Sequence, residues 1–276
     1  MSEANSDKKP EKKYDKDSIK NVVVVAMSLC FVCAIIVSTA AVQLKPQRIA
    51  NKELDRNKNI LIAAGLYAKG VTSDSQIDKL FEQFTIKVVD LQEKKLLSDA
   101  EVAAAGIDIK RYDQRKAAKD PSLSIDLEKS RDIASISRRA RYSVAYLLEQ
   151  NGTVDRIVLP VHGYGLWSTL YGFIALEGDA NTVAGITFYE QQETAGLGGE
   201  VDNPKWKGLW AGKEIYADGK VVFEVIKGSV DPASAKAIHQ VDGLSGASIT
   251  SRGVQNLITF WLGDDGFGPV LKQLQG

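Results

Sequence analysis

The chain has 276 residues, 44% hydrophobic and 25% charged, the composition of an ordinary globular protein of one or two domains. Lys plus Arg and Asp plus Glu both number 35, so no global charge argues for a nucleic-acid partner. Two Cys and two His leave no basis for a disulfide framework in the main domain, or for a protein-built zinc or haem site.

Residues 1–20 are polar and lysine-rich and read as a disordered tail. From Asn21 to Leu44 no residue is charged, a run of 24 positions that is long enough to cross a bilayer as a helix. The small residues Ser38-Thr39-Ala40-Ala41 make a cleaved signal the competing reading. The run is longer than the ~7–15 residues of a signal core, which favours a retained span. Six Lys precede it, and Lys45, Arg48, Lys52, Arg56 and Lys58 follow, a weak bias toward a cytoplasmic N-terminus. Long domains cross regardless of charge, so the C-terminal part can lie outside. Cys30 and Cys33 fall inside the span as Cys-x-x-Cys. Hydrocarbon disfavours the thiolates that redox chemistry needs, so they read as small apolar residues on one helix face.

Residues 48–68 are expected to be helical, and residues 76–96 continue with Leu80, Phe81 and Phe84 and then a β-rich Ile86-Lys87-Val88-Val89. Residues 111–141 carry dense charge of mixed sign, which predicts a solvated face. Tyr142–Leu148 and Val154–Val161 read as strands joined by an Asn151-Gly152 hairpin turn. His162-Gly163-Tyr164-Gly165-Leu166-Trp167-Ser168 nearly matches a dinucleotide fingerprint. Its third glycine is Ser168 and no clear βαβ unit follows, so that fold is rejected. Phe173–Glu177 and Val183–Glu190 read as further strands around a turn at Asp179-Ala180-Asn181, with another strand at Val221–Ile226.

The loop Gln191–Glu200 holds three glycines in four positions, Gly196, Gly198 and Gly199, which marks a close backbone approach or a turn with positive φ. A second small-residue loop runs Asp242-Gly243-Leu244-Ser245-Gly246-Ala247-Ser248-Ile249-Thr250-Ser251. Val254, Leu257, Ile258, Trp261 and Leu262 then trace one apolar face of a helix that Gly263 stops. Thr250 or Ser251 is the expected N-cap. By itself the loop reads either as a capped turn holding no ligand or as a phosphate seat at a helix start.

Asp-x-x-Ser-Gly-Ala-Ser (Asp242–Ser248) resembles the flavinylation motif of proteins that carry FMN through a phosphoester to a hydroxyl residue. In that family a separate flavin transferase makes the bond from FAD. The acceptor position falls on Ser248, where most members have Thr. Glu193-Thr194-Ala195-Gly196-Leu197-Gly198 resembles the Glu-Thr-Pro-Gly-Leu-Gly loop that lies against the flavin in the same family, with Ala195 in place of the proline. Several further segments are similar to the C subunits of bacterial sodium-translocating NADH:quinone oxidoreductases. These are Ile36–Val42, Tyr112–Arg115, His162-Gly163 with Gly165–Ser168, Trp261–Asp264 and Gly266–Pro269.

The resemblance implies an α+β protein in which a single N-terminal transmembrane helix is followed by a mixed α+β FMN-binding domain. It divides the chain into a cytoplasmic tail (1–18), a span (19–44) and a periplasmic domain (45–276) in the inner membrane. The flavin passes electrons within a membrane complex of several subunits that oxidises NADH, reduces quinone and pumps sodium, with NADH bound on another subunit. The implied cofactor-binding residues are Ser248, Asp242, Leu244, Ser245, Gly246, Ala247, Thr250, Glu193, Thr194, Gly196, Leu197, Gly198 and Trp167. Of these, Leu197, Leu244 and Trp167 are candidates to shield the ring, and Glu193 and Thr194 to tune it. No residue is singled out as catalytic or metal-ligating. The partners are the other subunits, the transferase and the lipid bilayer. A related ion-translocating electron-transport complex, a free-standing membrane flavoprotein and a flavin-free anchored assembly domain remain alternatives.

Overall fold

The structure is a computed structural model that describes residues 18–67 and 72–275. Most of the expected disordered tail lies outside the described residues. Two compact units divide between Lys52 and Glu53. In the first, the uncharged run forms one helix, α1 (Ile19–Gln43), with no buried residue. Ser18 caps it by accepting from the Asn21 amide. Cys30 and Cys33 are exposed on this helix as free thiols. A second helix, α2 (Lys45–Ala63), starts after Leu44, earlier than the sequence suggests, and ends near Ala64 and Gly65.

The second unit is built on a six-stranded antiparallel sheet. Its strands are β1 (Phe84–Asp90), β2 (Lys95–Leu96), β3 (Tyr142–Gln150), β4 (Thr153–Tyr164), β5 (Thr169–Glu177) and β6 (Val183–Glu190). Their order is β2-β1-β3-β4-β5-β6. Asn151 and Gly152 both have positive φ, as a tight hairpin turn between β3 and β4 requires. The all-antiparallel pairing of these strands is incompatible with a dinucleotide-binding βαβ unit, as the missing third glycine suggests.

Alternation along the strands produces two apolar layers. Tyr146, Leu148, Val158, Phe173 and Ala175 point to one face and pack with Ile60 and Leu61 of α2 and with Ile77 of α3 (Asp74–Phe81). Leu147, Ile157, Leu159, Ile174 and Leu176 point to the other and pack with Val254, Leu257, Ile258 and Trp261 of α4 (Ser248–Leu262). The register keeps the layers apart, since Val158 faces Ala175 while Ile157 faces Leu176. The sheet is therefore buried on both faces, and α4 is fixed against one of them.

Two local expectations need correction. The charged stretch 111–141 is not simply solvated. Arg139 is buried and donates to the carbonyls of Asp265 and Leu91. Arg141 pairs at 2.9 Å with the buried carboxylate of Asp90, and the Arg115 guanidinium lies 3.3 Å from the centre of the Tyr171 ring. Arginine stems and planes bury well when carbonyls, carboxylates or rings meet them, and charge pattern alone does not show such partners. The expected strand Val221–Ile226 is broken at Val222-Phe223, where Phe223 turns into the core. What remains is Lys220–Val221 and a short strand, β7 (Glu224–Ile226). β7 pairs in parallel with β8 (Gln240–Asp242), so Ile226 faces Asp242 directly before the second small-residue loop.

Candidate functional site

The loop after β8 is held at both ends. The Asp242 carboxylate accepts from the Val230 amide at 2.8 Å, and its carbonyl accepts from the Trp206 indole at 2.8 Å. Gly246 has φ +71, a left-handed conformation that lets the chain reverse into α4. The helix then starts earlier than expected. Ser248 is its first residue, and Ala247 stands at the cap position without a side-chain hydrogen bond. Neither Thr250 nor Ser251 is the N-cap, because both hydroxyls are buried and used inside the protein. Ser251 accepts from the Leu244 amide at 2.9 Å and donates to the Ala247 carbonyl at 3.1 Å, closing the loop onto the helix.

Thr250 donates at 2.6 Å to Glu193, which lies 57 residues earlier in the chain. Glu193 is only 8% exposed. Its carboxylate also accepts from the backbone amides of Leu166, Trp167 and Ser168, at 3.1, 2.9 and 3.2 Å. One side chain therefore ties the Gly165–Ser168 turn, the glycine loop and the first turn of α4 together. The nearby glycines follow from this crowding. A Cβ at Gly165 would sit 2.7 Å from the carboxylate, and one at Gly198 would sit 2.6 Å from the Thr250 hydroxyl. Four donors converge on one buried carboxylate, so charge-assisted bonds offset its desolvation.

The residues singled out in the sequence thus separate into two groups. Glu193, Gly198, Leu244, Ala247 and Thr250 are buried. Thr194, Gly196, Leu197, Ser245, Gly246, Ser248 and Trp167 are exposed, and Asp242 is intermediate. Trp167 is 64% exposed and Leu197 43%, whereas the third shielding candidate, Leu244, is 7% exposed. Leu197 reaches the Gly246 turn, where a Cβ would lie 2.9 Å from its side chain.

A cleft of about 570 Å³ opens beside Ser248. Ser248, Ser251 and Arg252 line it from α4, and Ile226 and Lys227 line it from the end of β7. Gln255 holds the two walls together by accepting from the Val225 amide at 2.6 Å and donating to the Phe223 carbonyl at 2.8 Å. Sequence reading missed Arg252, Lys227 and Gln255. The signal for two of them was present, since 248, 252 and 255 share one face at helical spacing. Lys227 had no local signal, because parallel pairing of β7 and β8 alone brings it to the cleft.

Residues 165–263 match the model of the FMN-binding domain family. The chain is 53% identical over 263 residues to the C subunit of the Na(+)-translocating NADH-quinone reductase of Pseudomonas aeruginosa, covering 95% of this chain and 98% of that one. It is 46% identical over 260 residues to the Vibrio vulnificus protein of the same name, covering 94% and 96%. The crystal structure of Shewanella oneidensis NqrC superposes with a TM-score of 0.71 at 34% identity, covering 82% of this chain and 99% of that one. The structure of the corresponding protein from Parabacteroides distasonis has the same fold, with a TM-score of 0.60 at 24% identity, covering 83% and 96%.

Proposed function

The chain belongs to the NqrC family, the C subunits of Na(+)-translocating NADH-quinone reductases, and on that premise we propose that it carries FMN in a phosphoester to Ser248 Oγ. One observation carries the assignment. Of the hydroxyls at the start of α4, Thr250 and Ser251 are buried and committed to Glu193, Leu244 and Ala247, while Ser248 is exposed and faces the cleft. Ser245 is exposed as well but does not line the cleft. The residues present fit a flavin phosphate, because an accessible hydroxyl opens onto a cavity that also holds two cationic side chains.

When bound, FMN supplies the redox chemistry, and the protein supplies attachment, orientation and exclusion of water. Trp167 and Leu197, exposed at their loops, cover the ring. Gly196 lets the backbone approach it, the exposed Thr194 tunes it, and Gly198 makes room for the Thr250 hydroxyl behind the loop. Asp242, Leu244, Ser245, Gly246 and Ala247 shape the turn that presents Ser248. Glu193 and Thr250 act through position, since their polar groups already bond to the scaffold.

The chain works as the FMN-binding subunit of a membrane complex that oxidises NADH, reduces quinone and moves sodium, and a flavin transferase matures it. NADH binds on another subunit. Residues 1–18 form a cytoplasmic tail, 19–44 span the inner membrane and 45–276 form a periplasmic domain. The long apolar helix and the lysine-rich stretch before it support this topology.

Peptide mapping of the flavin adduct tests the attachment. The adduct is expected on Ser248, absent from Ser248→Ala and retained in Ser248→Thr. An adduct on Ser245 or Thr250 would overturn the assignment. Protease added to intact spheroplasts should digest the domain, and full protection would reverse the topology.

A further inference from the structure

We propose that Arg252 seats the phosphate of the flavin attached at Ser248, which fixes that phosphate on the cleft face of α4. The inference rests on Ser248 being the acceptor. Arg252 follows Ser248 by four residues, so their Cβ atoms are roughly 5–6 Å apart on one helix face. Both side chains line the same cleft, and Lys227 lines it from the end of β7. Among the described residues, neither Arg252 nor Lys227 takes part in an ion pair, although the chain forms ten others. The cleft wall includes one carboxylate, Glu224, which accepts from Gln240 at 2.9 Å. Glu224 lies three positions before Lys227, about 10 Å along the chain at strand spacing.

The opposite side of α4 cannot serve as this seat. Thr250 lies two residues from Ser248, about 200° around the helix, and its hydroxyl is bound to the Glu193 carboxylate. A phosphate placed there would meet a like charge. On the cleft face it meets a guanidinium, whose planar fork matches two phosphate oxygens. The seat also bears on attachment. When the Ser248 Oγ–P bond forms at the flavin-side phosphorus of FAD, the P–O–P bond breaks and AMP leaves with the bridging oxygen. The hydroxyl proton passes through a base of the transferase to solvent. Arg252 is placed to hold the flavin-side phosphate during that exchange and afterwards.

The test uses the full chain purified in detergent without flavin, then incubated with FAD and a flavin transferase. Arg252→Gln should slow attachment about tenfold, the loss of roughly one charge-assisted bond, and Arg252→Lys should recover part of the rate. The adduct that does form should still map to Ser248. Attachment should raise the melting temperature of the wild-type chain, and Arg252→Gln should lose most of that rise. The phosphorus NMR line of the attached phosphodiester should also shift in this variant. Slowed attachment with an unchanged melting rise and phosphorus line would make Arg252 a contact for the transferase, and would overturn the seat. Wild-type attachment in Arg252→Gln would overturn it too. An adduct that maps away from Ser248 in the wild type would instead remove the acceptor reading on which the seat depends.

Discussion

The first turn of α4 has two sides that do opposite things with the same chemistry. On one side Thr250 is buried with its hydroxyl on Glu193, and Ser251, at the cleft wall, is buried as well with its hydroxyl bonded to Leu244 and Ala247. On the other, the side chains of Ser248 and Arg252 are exposed along a cleft and hold no ion pair or hydrogen bond to the scaffold among the described residues. The difference shows how a run of small polar residues divides its work. Hydroxyls committed to the scaffold stiffen the turn, and the uncommitted one faces the cleft.

The largest expected effect breaks the buried side. Glu193→Ala leaves three backbone amides and the Thr250 hydroxyl without their acceptor in a closed site. Thermal or denaturant unfolding should register a loss of ~3–5 kcal/mol, because each buried donor left without an acceptor costs about 1–3 kcal/mol and water reaches part of the exposed Trp167 loop. A loss below ~1 kcal/mol would mean that water replaces the carboxylate and that the hub is not structural.

Thr250→Ala removes one charge-assisted bond from the same hub. A loss of about 2 kcal/mol is expected, with flavin still attached at Ser248. The cause is the bond to Glu193 and not helix capping, so Thr250→Ser should restore most of the stability. Equal losses in the Ala and Ser variants would point to packing of the methyl group instead.

Acid sharpens the comparison further along the helix. The His162 ring packs 4.8 Å from Trp261 of α4 and 5.4 Å from Tyr171. Burial, and then the Arg115 guanidinium, hold its pKa down at about 4. The unfolded chain takes up this proton near pH 6.5 and the folded chain only near 4. The His162 contribution is therefore complete above about pH 6.5 and is lost as the pH falls toward 4. A melting profile over this range should flatten in His162→Phe, and an unchanged slope would assign the acid sensitivity to other groups.

The smallest effect on stability belongs to the exposed side. Ser248→Ala, measured without flavin, should stay within ~0.5 kcal/mol of the parent, as exposed substitutions do. A larger loss would show that Ser248 belongs to the scaffold after all, and the two sides would no longer differ.

Much of this was present in the sequence. The uncharged run, four of the strands with their turns and the apolar face of α4 are written in local periodicity, which a window of a dozen residues contains. The two small-residue loops were also visible, as was the family they resemble. The sequence by itself therefore determined the main extended and helical stretches and which loops hold the candidate chemistry, but not the break at Val222-Phe223 or the start of α4. Only the tertiary structure decided that, of the three hydroxyls in the first turn of α4, Ser248 is the exposed one. That depends on Glu193 meeting Thr250 across 57 residues, on the helix beginning at Ser248 and on β7 pairing with β8 to bring Lys227 opposite Arg252. Such contacts form between groups distant in the chain and follow from sheet order and helix packing, so no local pattern encodes them.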